Sequence, residues 1–120
     1  MNLQPVSSLL RAISQPARIE ILLAIGSGEA CVCHLEIATG QRQAYISQQL
    51  MALRSAGIVT SRREGRNVYY RLEDPSILEL IQHAATLTSI DRREIQAFGS
   101  TNLHGKCPCP KCDREASEIN

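Results

Sequence analysis

Apolar residues follow helical spacing through the first half of the chain, alternate over one stretch, and then return to helical spacing. Val6, Leu9, Leu10 and Ile13 keep the i, i+3, i+4, i+7 pattern, which predicts an amphipathic helix ending near Ser14. Pro16 suits the first turn of a second helix; Ile19, Leu22, Leu23 and Ile25 supply its apolar face, and Gly26 with Gly28 ends it. Residues 30–39 (ACVCHLEIAT) predict a short third helix closed by Gly40. A fourth helix is expected from Arg42 to Ala56, with Ile46, Leu50 and Leu53 stacked on one side and Gly57 terminating it. IVTSRREGRNVYYRL then places β-branched and aromatic residues on both sides of Glu64 and Gly65, a hairpin signal. In its second strand Val68, Tyr70 and Leu72 share one face, and Tyr69 and Arg71 the other. Asp74 and Pro75 cap and open a last helix on which Ile77, Leu78, Ile81, Ala84, Ala85 and Thr88 keep helical spacing. Beyond Phe98 the pattern dissolves into a polar stretch with glycines and prolines, read as a flexible tail.

Four short helices, a hairpin and a closing helix predict a mainly α fold with a β-hairpin wing (α+β), the winged helix-turn-helix. Residues 1–98 form the expected DNA-binding and dimerisation domain, and residues 99–120 a Cys-rich tail. A chain of 120 residues, 43% apolar, buries one modest core and leaves no room for a second large domain. No stretch approaches the ~18 apolar residues of a membrane span. The first residues lack the basic start, apolar block and cleavage site of a secretory leader, so a soluble cytoplasmic protein without membrane partners is expected.

Net charge of +1 conceals an uneven distribution. Residues 41–71 hold Arg42, Arg54, Arg62, Arg63, Arg66 and Arg71 against Glu64 alone, a net of +5, while the segments before and after are acidic. A basic segment made only of arginine, on an acidic body, fits phosphate or base recognition. The fourth helix opposes its apolar side with Ala44 and Gln48, flanked by Tyr45 and Ser47. Gln48 suits adenine, Ser47 and Tyr45 suit phosphates or bases, and Arg42 and Gln43 stand at the helix start. On the wing Arg62, Arg63, Arg66 and Asn67 are the expected phosphate or minor-groove contacts, with Arg54 and Arg71 read as structural ion-pair partners. Double-stranded DNA is the expected partner. No base–nucleophile pairing or phosphate loop supports an enzyme.

QAYISQQLMALRSAGIVTSRREGRNVYYRL resembles the recognition helix and wing of the ArsR/SmtB metal-responsive repressors, and ACVCHLE resembles their thiolate metal box. The resemblance spans about residues 5–90. It implies a homodimer joined mainly by the first and last helices, bound to a palindromic operator and released by an inducer. Two positions depart from the family pattern: Glu36 stands where arsenic sensors carry a third box cysteine, and the last helix offers His83 alone where zinc sensors carry Asp and His ligands.

Five cysteines are many for this length, yet an odd number in a chain of ordinary apolar content argues against a disulfide scaffold and for metal binding or redox sensing. Cys31 and Cys33, two apart, would point about 200° from each other on a regular helix, so joint binding of one ion requires distortion of the first turn. Cys107, Cys109 and Cys112 form CPCPKC, whose C-x2-C spacing is common in thiolate knuckles and whose prolines disfavour helix. The tail trio is expected to complete a site begun by Cys31 and Cys33, within one protomer or across the dimer. All-thiolate sites select soft ions: arsenite or antimonite in a three-sulfur pyramid, or cadmium or lead, with zinc less selectively. His34 is read as capping or packing its helix, and His83 and His104 carry less signal still. Two other functions compete: a repressor sensing oxidants or reactive sulfur through the same cysteines, and a metal-sequestering zinc protein with an incidental basic segment.

Overall fold

The computed structural model describes residues 1–99. The chain runs α1 (Gln4–Ala12), α2 (Pro16–Ile25), β1 (Ala30–Cys31), α3 (Val32–Thr39), α4 (Gln43–Ser55), β2 (Val59–Glu64), β3 (Asn67–Leu72), α5 (Ile77–Leu87) and α6 (Arg92–Gly99). Among these residues no helix is long and apolar enough to cross a membrane.

The core forms where the helical periodicities converge. Ile21 and Leu22 of α2, Leu35 of α3, and Ile46, Leu50 and Leu53 of α4 are fully buried, and Val59 and Leu72 extend the cluster under the sheet. Each such side chain contributes about 1.5–3 kcal/mol on burial, so the three-helix centre holds the wing in place. Pro16 sits in the first turn of α2, as its fixed φ favours. Gly40 closes α3 in the left-handed region (φ 73°), so the chain reverses directly into α4.

Polar pins set the angle of the helix-turn-helix pair. Gln41 in the turn donates through Nε2 to Glu20 Oε2 at 2.9 Å, tying the turn to α2. Arg18 donates from Nε to Gln49 Oε1 at 2.8 Å and from Nη1 to the Ala12 carbonyl at 2.9 Å. Gln49 is a buried polar residue on α4 whose acceptor is thereby satisfied. One guanidinium thus links the end of α1, the start of α2 and the middle of α4.

The sheet is antiparallel with order β1-β3-β2. Glu64 pairs with Asn67, leaving Gly65 and Arg66 as a two-residue tip. Gly65 has φ 61°, a value that suits the twist of a tight hairpin and that glycine adopts without strain.

Two elements correct the sequence-based expectation. The third helix begins at Val32, because Ala30 and Cys31 are extended and pair with Tyr70 and Tyr69. The closing helix is two helices: Ser89 takes φ 67° and ends α5, and a second helix follows. Asp91 starts α6 by accepting from the Arg93 N–H at 2.8 Å, and Ile95 and Phe98 pack back on the core. Asp91 with Glu94 three residues later is a capping-box spacing, the local signal that marks this helix. The start of α5 also differs from expectation: Ser76, not Asp74, is its N-cap and the helix begins at Ile77, so Asp74 and Pro75 form the turn before it, where Asp74 accepts from both the N–H and the hydroxyl of Ser76. Those bonds, the hydroxyl first, hold its carboxyl below the usual range.

Candidate functional site

Helix α4 presents the predicted face. Arg42, Gln43, Ala44, Tyr45 and Gln48 are exposed and Ser47 is half-buried, while Ile46 and Leu50 turn inward. Arg42 is the N-cap in extended conformation and makes no side-chain cap bond. These groups form one polar, cation-bearing edge at the start of the second helix of a helix-turn-helix, where base-reading residues stand in that motif.

The wing divides its arginines between roles. Arg63 and Arg66 are exposed and Asn67 is half-buried at the tip. Arg62 is committed elsewhere: it meets Glu29 through a two-pronged contact, Nε to Oε2 at 2.6 Å and Nη2 to Oε1 at 2.9 Å. Its Nη1 reaches Glu64 at 3.2 Å, and the guanidinium lies 4.8 Å from the Tyr69 ring centroid. The hydrogen bonds to Glu29 and then Glu64 stabilise its charged form and raise its pKa further. The expected ion-pair partners Arg54 and Arg71 form no salt bridge among the described residues, whereas Arg62, expected at the DNA, is the arginine that does. Sequence alternation placed Arg62 on the wing correctly but carried no signal for Glu29, 33 residues away.

The two box thiols lie at the junction of β1 and α3. Cys31 is 5% exposed and is the N-cap of α3, its Sγ accepting from the His34 N–H at 3.4 Å. Cys33 lies in the first turn and is half-buried. The expected 200° separation does not apply, because Cys31 is extended (φ −86°, ψ 167°) rather than helical. Both cysteines instead join one small apolar cluster with Tyr69 and Ile37.

The donor set is soft but incomplete. Among the described residues no group of three or more His, Cys, Asp or Glu side chains is placed to hold a metal. Two thiols fit a soft ion in chemistry but not in number. Cys107, Cys109 and Cys112, and His104, lie outside the described residues; His83 is exposed on α5.

Helix α1 has an apolar stripe without a buried residue: Val6, Leu9 and Leu10 are exposed. Leu80, Leu87 and Ile90 are likewise exposed on and after α5. Leu9 of α1 and Leu80 of α5 line a cavity of about 250 Å³, together with the buried Ile58 and Ile77.

With this geometry in place, comparison with known proteins decides the family. The sequence model described as "Bacterial regulatory protein, arsR family" matches residues 15–61, from the start of α2 into β2. The cadmium resistance transcriptional regulatory protein CadC homolog of Staphylococcus aureus is 30% identical over 99 residues, 82% of this chain and 78% of that protein. The chain belongs to the ArsR/SmtB family. The transcriptional repressor SmtB homolog of Synechocystis is 37% identical over 82 residues, 68% of this chain. The matched region spans 62% of that relative's length. Among solved structures, the transcriptional repressor BigR from Xylella fastidiosa superposes with a TM-score of 0.65 at 34% identity, over 70% of this chain and 86% of that one. These family members are named repressors or regulatory proteins, none an enzyme, in keeping with the sequence reading. The winged helix-turn-helix is thus the fold of the family as well as of this chain.

Proposed function

We propose that the protein is a cytoplasmic transcriptional repressor that binds operator DNA as a homodimer and releases it when a soft thiophilic ion binds cysteine thiolates. The observation that carries this reading is the position of the thiol pair. Cys31 and Cys33 sit at the start of α3, which packs directly against α4, and Cys31 pairs with the wing strand β3. An ion that rearranges this junction acts on both DNA-facing elements at once. In a dimer the two recognition helices must match half-sites about 34–36 Å apart, so a small change in their relative setting lowers affinity.

Arg42, Gln43, Tyr45, Ser47 and Gln48 read or clamp the major groove, and Arg63, Arg66 and Asn67 contact the backbone or minor groove from the wing. The exposed stripe of α1, with Leu80 and Leu87 of α5, is the self-association face. Cys31 and Cys33 supply two ligands, and Cys107, Cys109 and Cys112 supply the remainder. Arsenite or antimonite suits two box sulfurs and one tail sulfur; cadmium or lead suits a fuller set, and the CadC homolog's name supports cadmium.

The test is a titration of the full-length protein on the DNA upstream of its own gene, followed by arsenite, antimonite, cadmium, lead, zinc, peroxide or polysulfide. Release by a soft ion at lower concentration than by the oxidants is the expected result. Release only by peroxide or polysulfide would replace the ion with a sulfur-redox input, and no operator binding would leave only metal sequestration. Arg66→Ala on the same DNA is expected to weaken all sequences about equally and to lower the salt slope by ~0.9, as loss of one phosphate contact does. A loss confined to one sequence would refute that role.

A further inference from the structure

A row of three side chains crosses the whole sheet. Cys31 on β1 is in register with Tyr69 on β3, and Tyr69 is in register with Arg62 on β2. Residues in register project from the same face, so thiol, phenol ring and guanidinium stand side by side. Tyr69 is only 1% exposed, although it belongs to a wing strand whose neighbour Arg71 is exposed. It is packed with Cys31, Cys33 and Ile37, and the Arg62 guanidinium covers its ring at 4.8 Å.

The far end of the row is anchored back to its beginning. Arg62 forks onto Glu29 at 2.6 and 2.9 Å, and Glu29 stands two residues before Cys31. A planar guanidinium held at two oxygens and stacked on a ring has a fixed orientation, which a lysine would not have. The segment joining these groups is also the weakest in the sheet. β1 pairs with β3 over two residues, while β2 and β3 pair over six. An ion that draws Cys31 towards Cys33 therefore disturbs β1 first, and with it the contacts of Tyr69 and Glu29 to Arg62.

We infer that Tyr69 and Arg62 are positioning residues that carry occupancy of the Cys31–Cys33 site to the wing, Arg62 acting through Glu29 and Tyr69 rather than through phosphate. The inference rests on the thiol-ion reading above and adds the route by which the wing senses it. Allosteric coupling between two ligands typically amounts to about 5–150-fold in affinity, and this row accounts for the wing's share of it.

The experiment uses the full-length protein, cadmium(II) as probe and Arg62→Gln as the variant. R62Q is expected to bind cadmium within about twofold of the parent and operator within about threefold, with an unchanged salt slope. The factor by which cadmium weakens operator binding is expected to fall at least fivefold. In the DNA-free parent, one equivalent of cadmium is expected to shift the Arg62 Nε–H resonance, and Cys31→Ser is expected to remove that shift. Glu29→Gln, which keeps the arginine and removes its fork partner, is expected to reproduce the loss of coupling. The inference is overturned if R62Q lowers the salt slope by ~0.9 with cadmium release intact, since Arg62 is then a phosphate contact. It is equally overturned if thiolate-to-cadmium absorption saturates while the Arg62 resonance stays in place. A parent protein with no thiolate-to-cadmium absorption is a different outcome: it removes the ion reading itself and the route with it.

Discussion

Serine at both positions 31 and 33 is expected to abolish release of operator DNA by arsenite and by cadmium, while affinity for operator without the ion stays within about threefold of the parent. Soft ions discriminate strongly between thiolate and hydroxyl, so two such replacements remove the site's selectivity at its source. The fold tolerates the change for a local reason. Cys31 is the N-cap of α3 and accepts the His34 N–H at 3.4 Å. Serine is among the preferred N-cap residues, so the bond is kept and shortened rather than lost. Alanine at the same place would remove the acceptor altogether, confusing loss of sensing with loss of structure. Fluorescence anisotropy on labelled operator reads both quantities, and the expected coupling factor falls from the 5–150-fold range to about one. Retained release in C31S/C33S would move the sensor elsewhere. Substituting Cys107, Cys109 and Cys112 with serine separates the tail's part: ion affinity falls at least tenfold if the tail completes the site and is unchanged if it does not.

The same junction explains what was legible in the chain and what was not. Helices α2 and α4 and the hairpin announce themselves because their signals are local: apolar spacing, a proline at the start, a glycine at the stop. Strand β1 carries no such signal, since Ala30 and Cys31 are extended only because β3 lies beside them. The burial of Tyr69 follows from that strand. Alternation places Tyr69 and Arg71 on one face, but β1, α3 and Arg62 cover Tyr69 and leave Arg71 exposed. The role of Arg62 is likewise non-local, because its partner Glu29 precedes it by 33 residues. Charge counting marks the basic segment but cannot tell which of its arginines is paired: the ion pairs fall on Arg62, not on Arg54 or Arg71. Helix α6 differs: its Asp91–Glu94 start is a local signal, but Asp91 to Glu94 are all charged and only Ile95 and Phe98 follow as large apolar positions, too few to show a helical period.

Glutamate at both Val6 and Leu10 is expected to convert the protein to a monomer and to weaken operator binding by at least 100-fold. Both residues lie on α1, which contains no buried residue, so the core around Leu22, Leu35 and Leu50 is untouched by the change. Far-ultraviolet circular dichroism is therefore expected to remain that of the parent. The effect arises in the assembly. Val6 is 54% and Leu10 47% exposed, and each contributes about 1.5–3 kcal/mol when fully covered by a partner. Two-fold symmetry doubles every substitution and brings like charges together across the interface. Linking two half-site contacts raises affinity by about 10²–10⁴ over one, which is the part a monomer forfeits. Sedimentation velocity at a fixed concentration, beside anisotropy on the operator, distinguishes the possibilities. A dimer that persists in V6E/L10E would place the self-association face away from α1. A monomer that still binds the full operator with parental affinity would mean that the two half-sites are read independently, and an ion that alters the spacing of recognition helices would then have nothing to act on.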